Sequence, residues 1–183
     1  MFLKGPNALA GHKAKVRRPE GVLQMHYECE LVAVIGAVAR DVSRADAWDV
    51  VAGFTVANDY VIREYLENYY RPNLRAKSRD GLTPVGPWMV DRVDVPRPME
   101  LNLRTTVNGE VTQQGTTADM VFDIPYLVEY LTGFMTLRPG DLILTGTPEG
   151  VVYLNPGDEV VTEIEGVGRL TSTVVSDEEF WRQ

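Results

Sequence analysis

The chain has 183 residues, 44% of them hydrophobic and 24% charged, with 16 Gly and 11 Pro. That composition excludes a disordered chain, a collagen-like fibre and a coiled coil, and the length suits one domain whose core needs neither disulfide nor structural metal. With 18 basic and 26 acidic residues the formal net charge is −8, which excludes general binding to a nucleic-acid backbone, since that needs clustered Lys and Arg.

Taken in chain order, the apolar runs are short and bounded by Gly and Pro, a pattern of strands and turns. Glu28 to Val38 reads as a buried strand. Ser43 to Val51 reads as a short helix, with Ser43 as N-cap, Asp46 three residues on and Gly53 ending it. Phe54 to Ala57 is a strand running into Asn58-Asp59, and Val61 to Tyr70 has helical spacing stopped by Pro72. Leu101, Leu103, Thr105 and Val107 alternate up to Asn108-Gly109, a strong hairpin signal, with Val111 and Gln113 on the return strand. Ile124 to Met135 is a helix that tolerates Pro125 in its first turn. Leu142 to Thr145 is a strand after Pro139-Gly140-Asp141, and Glu159 to Ile164 pairs with Arg169 to Val175 through Gly166-Val167-Gly168. There is no regular βαβ alternation. The expected fold is mainly β with short helices (α+β), closing into a sandwich or roll, as a single domain over residues 1–183.

The one cysteine, Cys29, can form no internal disulfide, which fits a reducing compartment. No signal-peptide apolar region follows the start, and the longest apolar run, Leu31 to Ala39, is far short of the ~20 residues of a spanning helix. A cytoplasmic protein without membrane or nucleic-acid partners is expected.

Several residues could carry chemistry. In Glu28-Cys29-Glu30 the two carboxylates sit at i and i+2 of a strand, so both project to one face and Cys29 to the other. Their repulsion is relieved by a divalent cation, and oxygen-only ligands suit Mg²⁺, Mn²⁺ or Ca²⁺ rather than zinc. The bland alternative is a pair of solvated acids. Asp59 can be a third oxygen ligand or the N-cap of the segment that follows. Arg63, Arg71, Arg75, Lys77 and Arg79 form a basic island in an acidic chain: either a solvated face or a pocket for a multiply anionic small molecule. Thr145 to Gly150 places small residues and hydroxyls after a strand, where backbone N–H groups can approach an anion, but it lacks the phosphate-loop pattern. His12 is an acid/base candidate or an exposed loop residue. There is no signature of a serine or cysteine nucleophile.

His26 to Leu31, Gly53 to Asp59, Lys77 to Asp80, Val107 to Glu110, Leu137 to Asp141 and Thr145 to Gly150 occur in one order that resembles the catalytic domain of the fumarylacetoacetate hydrolase family. The likeness runs from about His12 to Val174 and is greatest to members that decarboxylate and isomerise unsaturated 2-oxo acids in aromatic (homoprotocatechuate) catabolism. The stretches Asn58 to Leu74, Lys77 to Pro84 and Gln113 to Thr117 carry that preference. The resemblance implies a mixed β-roll, a homodimer or a pairing with a paralogous subunit, and one Mg²⁺ or Mn²⁺ on Glu28, Glu30 and Asp59. It implies that Lys77 is catalytic, that Arg63, with Arg71 or Arg75, binds the carboxylates of a 2-oxo di- or tricarboxylic acid, and that the loop at Gly146 and Thr147 grips another. His12 matches a family histidine, but the Glu that hydrolytic members place three residues later is Lys15 here. That departure suits decarboxylation or isomerisation over hydrolysis. Acylpyruvate hydrolysis and oxaloacetate decarboxylation on the same metal site are the enzymatic alternatives. A non-catalytic anion-binding subunit is the alternative of another class.

Overall fold

Runs of Val, Ile and Thr too short for helices become strands in this molecule. The computed structural model describes residues 1–66 and 73–182. Its strands are β1 (Leu9–Ala10), β2 (Ala14–Arg17), β3 (Met25–His26), β4 (Cys29–Ile35), β5 (Val51–Asn58), β6 (Val61–Ile62), β7 (Thr83–Asp91), β8 (Asn102–Val107), β9 (Glu110–Thr116), β10 (Leu142–Leu144), β11 (Glu159–Ile164) and β12 (Gly168–Val175). Its helices are α1 (Leu74–Lys77), α2 (Ile124–Thr132) and α3 (Asp177–Trp181).

The strands form two five-stranded sheets, in the orders β1-β7-β5-β4-β10 and β2-β12-β11-β8-β9, and a small β3-β6 pair. Most neighbours are antiparallel, but β1 runs parallel to β7 and β2 parallel to β12. The expectation of a mainly β fold with short helices holds. The β8–β9 hairpin turns through Asn108 and Gly109, both at positive φ (51° and 85°), as its Asn-Gly signal predicts. In α2, Asp123 caps the helix by accepting the Tyr126 N–H at 2.9 Å, with Pro125 in the first turn.

Two expected helices are replaced. From Ser43 to Val51 only Ala47–Val50 makes a 3-10 turn. The Ser43 hydroxyl bonds the Asp46 carboxylate at 2.6 Å in a local turn, and Val51 is taken into β5, where it pairs with Ile35 of β4. From Val61, β6 pairs with β3 and Arg63–Tyr65 is a 3-10 turn. β-branched Val61 and Ile62 are fully buried there, so tertiary packing overrides helical spacing. Residues 67–70 of that expected helix, and Arg71 beyond it, lie outside the described residues.

Two apolar clusters result. The larger joins Leu31, Ala33 and Ile35 of β4, Phe54 and Val56 of β5, Leu170 of β12 and Ile124 and Val128 of α2. The smaller gathers Val16, Met25, Tyr27, Tyr60, Ile62 and Val174. Its two buried tyrosines each place the hydroxyl on a partner, Tyr27 on Thr112 at 2.6 Å and Tyr60 on Ser172 at 2.8 Å. Tyr27 belongs to one cluster and Cys29 to the other. Glu28 and Glu30 alternate with these two residues along the chain.

Candidate metal centre

Strand alternation and antiparallel register assemble the acidic group. Cys29 pairs with Asn58 and Glu30 with Ala57, and the Asp59 N–H bonds the Glu28 carbonyl at 2.9 Å. Asp59 thus sits across from Glu28, and directly opposed residues of an antiparallel pair share a face. One carboxylate oxygen from each of Glu28, Glu30 and Asp59 lies within 4.8 Å of the others. An octahedral Mg²⁺ holds its ligand oxygens roughly 3–4 Å apart, so small side-chain adjustments suffice. An all-carboxylate donor set matches a hard cation. The residues present fit a divalent metal.

Two ammonium groups share the cluster. Lys77, at the end of α1, bonds Asp59 Oδ2 at 2.7 Å and also Glu28 Oε2. Lys4 bonds Asp59 Oδ1, and the Phe2 ring lies over the Lys77 ammonium at 4.9 Å. Burial pulls Lys77 down, but Asp59 and Glu28 outweigh it and hold its pKa above the usual lysine value. For Lys4 burial wins over Asp59, and its pKa is lowered. Burial, reinforced by the Asp59 charge, pushes Glu30 up to about 8, against the pull of the Gly146 N–H and Lys77. Glu28 is raised chiefly by burial, with Lys77 opposing. Such opposed shifts in one cluster make it a candidate functional site.

The loop after β10 closes one side. The Gly146 N–H donates to Glu30 Oε2 at 2.5 Å, and the Thr145 hydroxyl to the Leu31 carbonyl at 2.8 Å. Thr147 follows, with its hydroxyl 3.0 Å from Gln113 Nε2. Arg63 is exposed, and its Nε donates to His26 Nε2 at 2.7 Å, while His26 Nδ1 lies 3.0 Å from the Tyr27 carbonyl. The carbonyl only accepts, so His26 is neutral with its proton on Nδ1. Arg75 and Arg79 stack on the same Tyr65 ring, at 4.7 and 5.2 Å.

The structure brings together Glu28, Glu30, Asp59, Lys77 and the Gly146–Thr147 loop. The His12 ring is exposed, and its Nδ1 accepts the Thr171 N–H of β12 at 3.1 Å. Lys15 pairs instead with Glu179 of α3 at 3.0 Å. Lys4 escaped sequence reasoning, because a lone lysine ahead of Gly5-Pro6 has no local pattern. Gln113 escaped it as a polar residue on an ordinary hairpin strand.

The sequence pattern described as Fumarylacetoacetate (FAA) hydrolase C-terminal matches residues 1–175. The chain belongs to this family. The 4-hydroxyphenylacetate degradation bifunctional isomerase/decarboxylase of Salmonella dublin is 61% identical over 178 residues, covering 97% of this chain and 42% of that protein. The chain thus spans less than half the length of that curated relative. The crystal structure of 2-hydroxyhepta-2,4-diene-1,7-dioate isomerase from Mycobacterium marinum superposes with a TM-score of 0.90 at 44% identity, over 96% of this chain and 68% of that one. Maleylpyruvate hydrolase from Sphingobium sp. SYK-6, in complex with manganese(II) ion and pyruvate, superposes at 0.88 with 38% identity, over 96% of this chain and 64% of that one. No helix among the described residues is long and apolar enough to cross a membrane.

Proposed function

We propose that residues 1–183 form one catalytic domain of a divalent-metal-dependent decarboxylase and isomerase for an unsaturated 2-oxo di- or tricarboxylic acid of aromatic catabolism. The observation that carries this reading is the carboxylate triad with Lys77 seated on two of its members, in a chain 61% identical to an isomerase/decarboxylase. Glu28, Glu30 and Asp59 would hold Mg²⁺ or Mn²⁺. A bound cation supplies Lewis-acid stabilisation of the negative charge that develops on the reacting acid.

The chain's own groups do the rest. Gly146 and Thr147 orient one carboxylate of the substrate beside Glu30. As CO₂ leaves the far carbon, its bonding electrons pass through the conjugated system to the 2-oxo oxygen. The Lys77 ammonium offsets that charge, held in place by Glu28 and Asp59. Reprotonation of the same dienolate at another carbon is the isomerase step, so one site serves both. Arg63 and Arg75, with Arg71, take the remaining carboxylates. The protein is proposed to act in the cytoplasm as a homodimer or beside a paralogous subunit. Acylpyruvate hydrolysis is the second reading, favoured by the fold shared with the Sphingobium hydrolase.

The test is CO₂ release and ultraviolet absorbance with 5-oxopent-3-ene-1,2,5-tricarboxylate, run with Mg²⁺, with EDTA and with Glu28→Ala. Metal-dependent CO₂ release that Glu28→Ala abolishes is the expected result. Cleavage of an acylpyruvate without CO₂ release keeps the metal centre and replaces the substrate.

A further inference from the structure

Behind the centre, a chain of buried polar side chains crosses the second sheet to the loop at Thr147. Asn58, next to Asp59, lies with its side-chain amide 3.0 Å from the Thr162 hydroxyl of β11. Thr162 lies 3.3 Å from the Thr105 hydroxyl of β8, and Thr105 lies 3.2 Å from Gln113 Oε1 of β9. Gln113 Nε2 then reaches the Thr147 hydroxyl at 3.0 Å and the Pro148 carbonyl at 2.7 Å. Asn58, Thr105 and Thr162 are fully buried, and Gln113 is 2% exposed.

One group sets the direction of the bonds that Gln113 makes. The Pro148 carbonyl can only accept, so the Gln113 amide must present Nε2 to it. The same Nε2 then donates to Thr147, and Oε1 faces Thr105 and must accept. The Thr105 proton is therefore spent on Gln113. The Thr162 hydroxyl donates to Asn58 Oδ1 at 3.0 Å and lies 3.3 Å from the Thr105 hydroxyl.

The polarity ends on Thr147. Its oxygen receives a proton from Gln113, so its own hydrogen points elsewhere. Among the described residues its side chain makes no other hydrogen bond. Gly146, one residue before, donates to Glu30, so Thr147 adjoins a residue in contact with the carboxylate triad. An ionised carboxylate has no proton to give and needs a donor there. The loop is also seated rigidly on β9. A Cβ on Gly115 would come within 2.8 Å of the Pro148 ring, and one on Gly150, at φ +105°, within 3.0 Å of the Thr112 carbonyl.

We propose that Gln113 is a positioning residue that fixes Thr147 as a hydrogen-bond donor to the substrate carboxylate. The inference rests on the reading of the Gly146–Thr147 loop as a carboxylate grip. The probe is pyruvate, titrated calorimetrically into the Mn²⁺-loaded protein after the Mn²⁺ affinity itself has been measured. Gln113→Met keeps length and loses the donor; it is expected to weaken pyruvate by roughly ten- to hundredfold, the span of one charge-assisted hydrogen bond, with Mn²⁺ affinity unchanged. Thr147→Val is expected to do the same, and the double variant to bind no more weakly than either single one. Thr105→Val, a substitution suited to a strand, is expected to weaken pyruvate in the native background and to add nothing to Gln113→Met. In turnover these variants should raise KM and leave kcat near the native value. Native pyruvate binding by folded Gln113→Met, or additive losses in the double variant, overturns the assignment alone. Failure of the native Mn²⁺-loaded protein to bind pyruvate overturns the carboxylate grip and the assignment with it.

Discussion

The acidic and basic halves of the centre are built in opposite ways. Glu28, Glu30 and Asp59 stand on or beside two paired strands of a five-stranded sheet, with β4–β5 hydrogen bonds fixing their register. Lys77, Arg63 and Arg75 stand on short helical turns outside the sheets, and Arg63 and Arg75 are exposed. A metal needs donor atoms placed to a fraction of an ångström, which strands provide. A substrate with several carboxylates of variable reach is met by long cationic side chains on adaptable turns. On the proposed function the difference divides the labour: the sheet would hold the metal and the rim would select the acid.

The strongest challenge to that division is Glu30→Gln. It keeps the shape and an acceptor for the Gly146 N–H but loses a ligand charge. Mn²⁺ affinity should fall by more than the 10- to 100-fold that a mere supporting partner is worth, and turnover should vanish, as calorimetry and CO₂ release will read. Lys77→Met tests the other half. Turnover should drop by about 10²–10³, the scale of one preorganised charge at the reacting centre. Mn²⁺ affinity should hold or tighten, because the ammonium competes for Glu28 and Asp59; a collapse of Mn²⁺ binding would erase the division.

The smallest expected effect is at Glu64, which ties the Arg63 turn down by accepting the Leu23 and Gln24 N–H groups at 2.6 and 2.8 Å. Slight burial pulls this carboxyl up, but those bonds outweigh it and hold its pKa below the usual range. A depressed carboxylate stabilises the fold above the unfolded value, ~4.3, and stops doing so as pH falls through the lower folded value. Glu64→Gln should therefore raise KM a few-fold near neutral pH and leave Mn²⁺ affinity alone. Its thermal-stability difference from the native protein should close as pH is lowered from about 7 to about 3.

Local pattern was enough for the elements that local chemistry decides. Alternation put Glu28 and Glu30 on one face, Asn108-Gly109 placed the hairpin, and Pro125 near the N-terminus of α2 marked that helix's start. It failed from Val61 onward, where helical spacing competes with burial against β3, and at Ser43, where a local turn and a 3-10 turn lead into β5. Spacing also could not say whether Asp59 was a cap or a ligand. The β4–β5 register sets it opposite Glu28, where a shared ligand role becomes possible. Lys4 carries no local signature, and the motifs that contain Asn58 and Gln113 assign neither of them a role. Lys4 meets Asp59 across 55 positions, and Thr162 meets Asn58 across 104. The sequence by itself determined which residue types could bind a hard cation and a carboxylate, because charge and alternation are properties of neighbours along the chain. Only the tertiary structure decided which of them share a site and which way their hydrogen bonds run, because those depend on register and on single carbonyls brought together from distant strands.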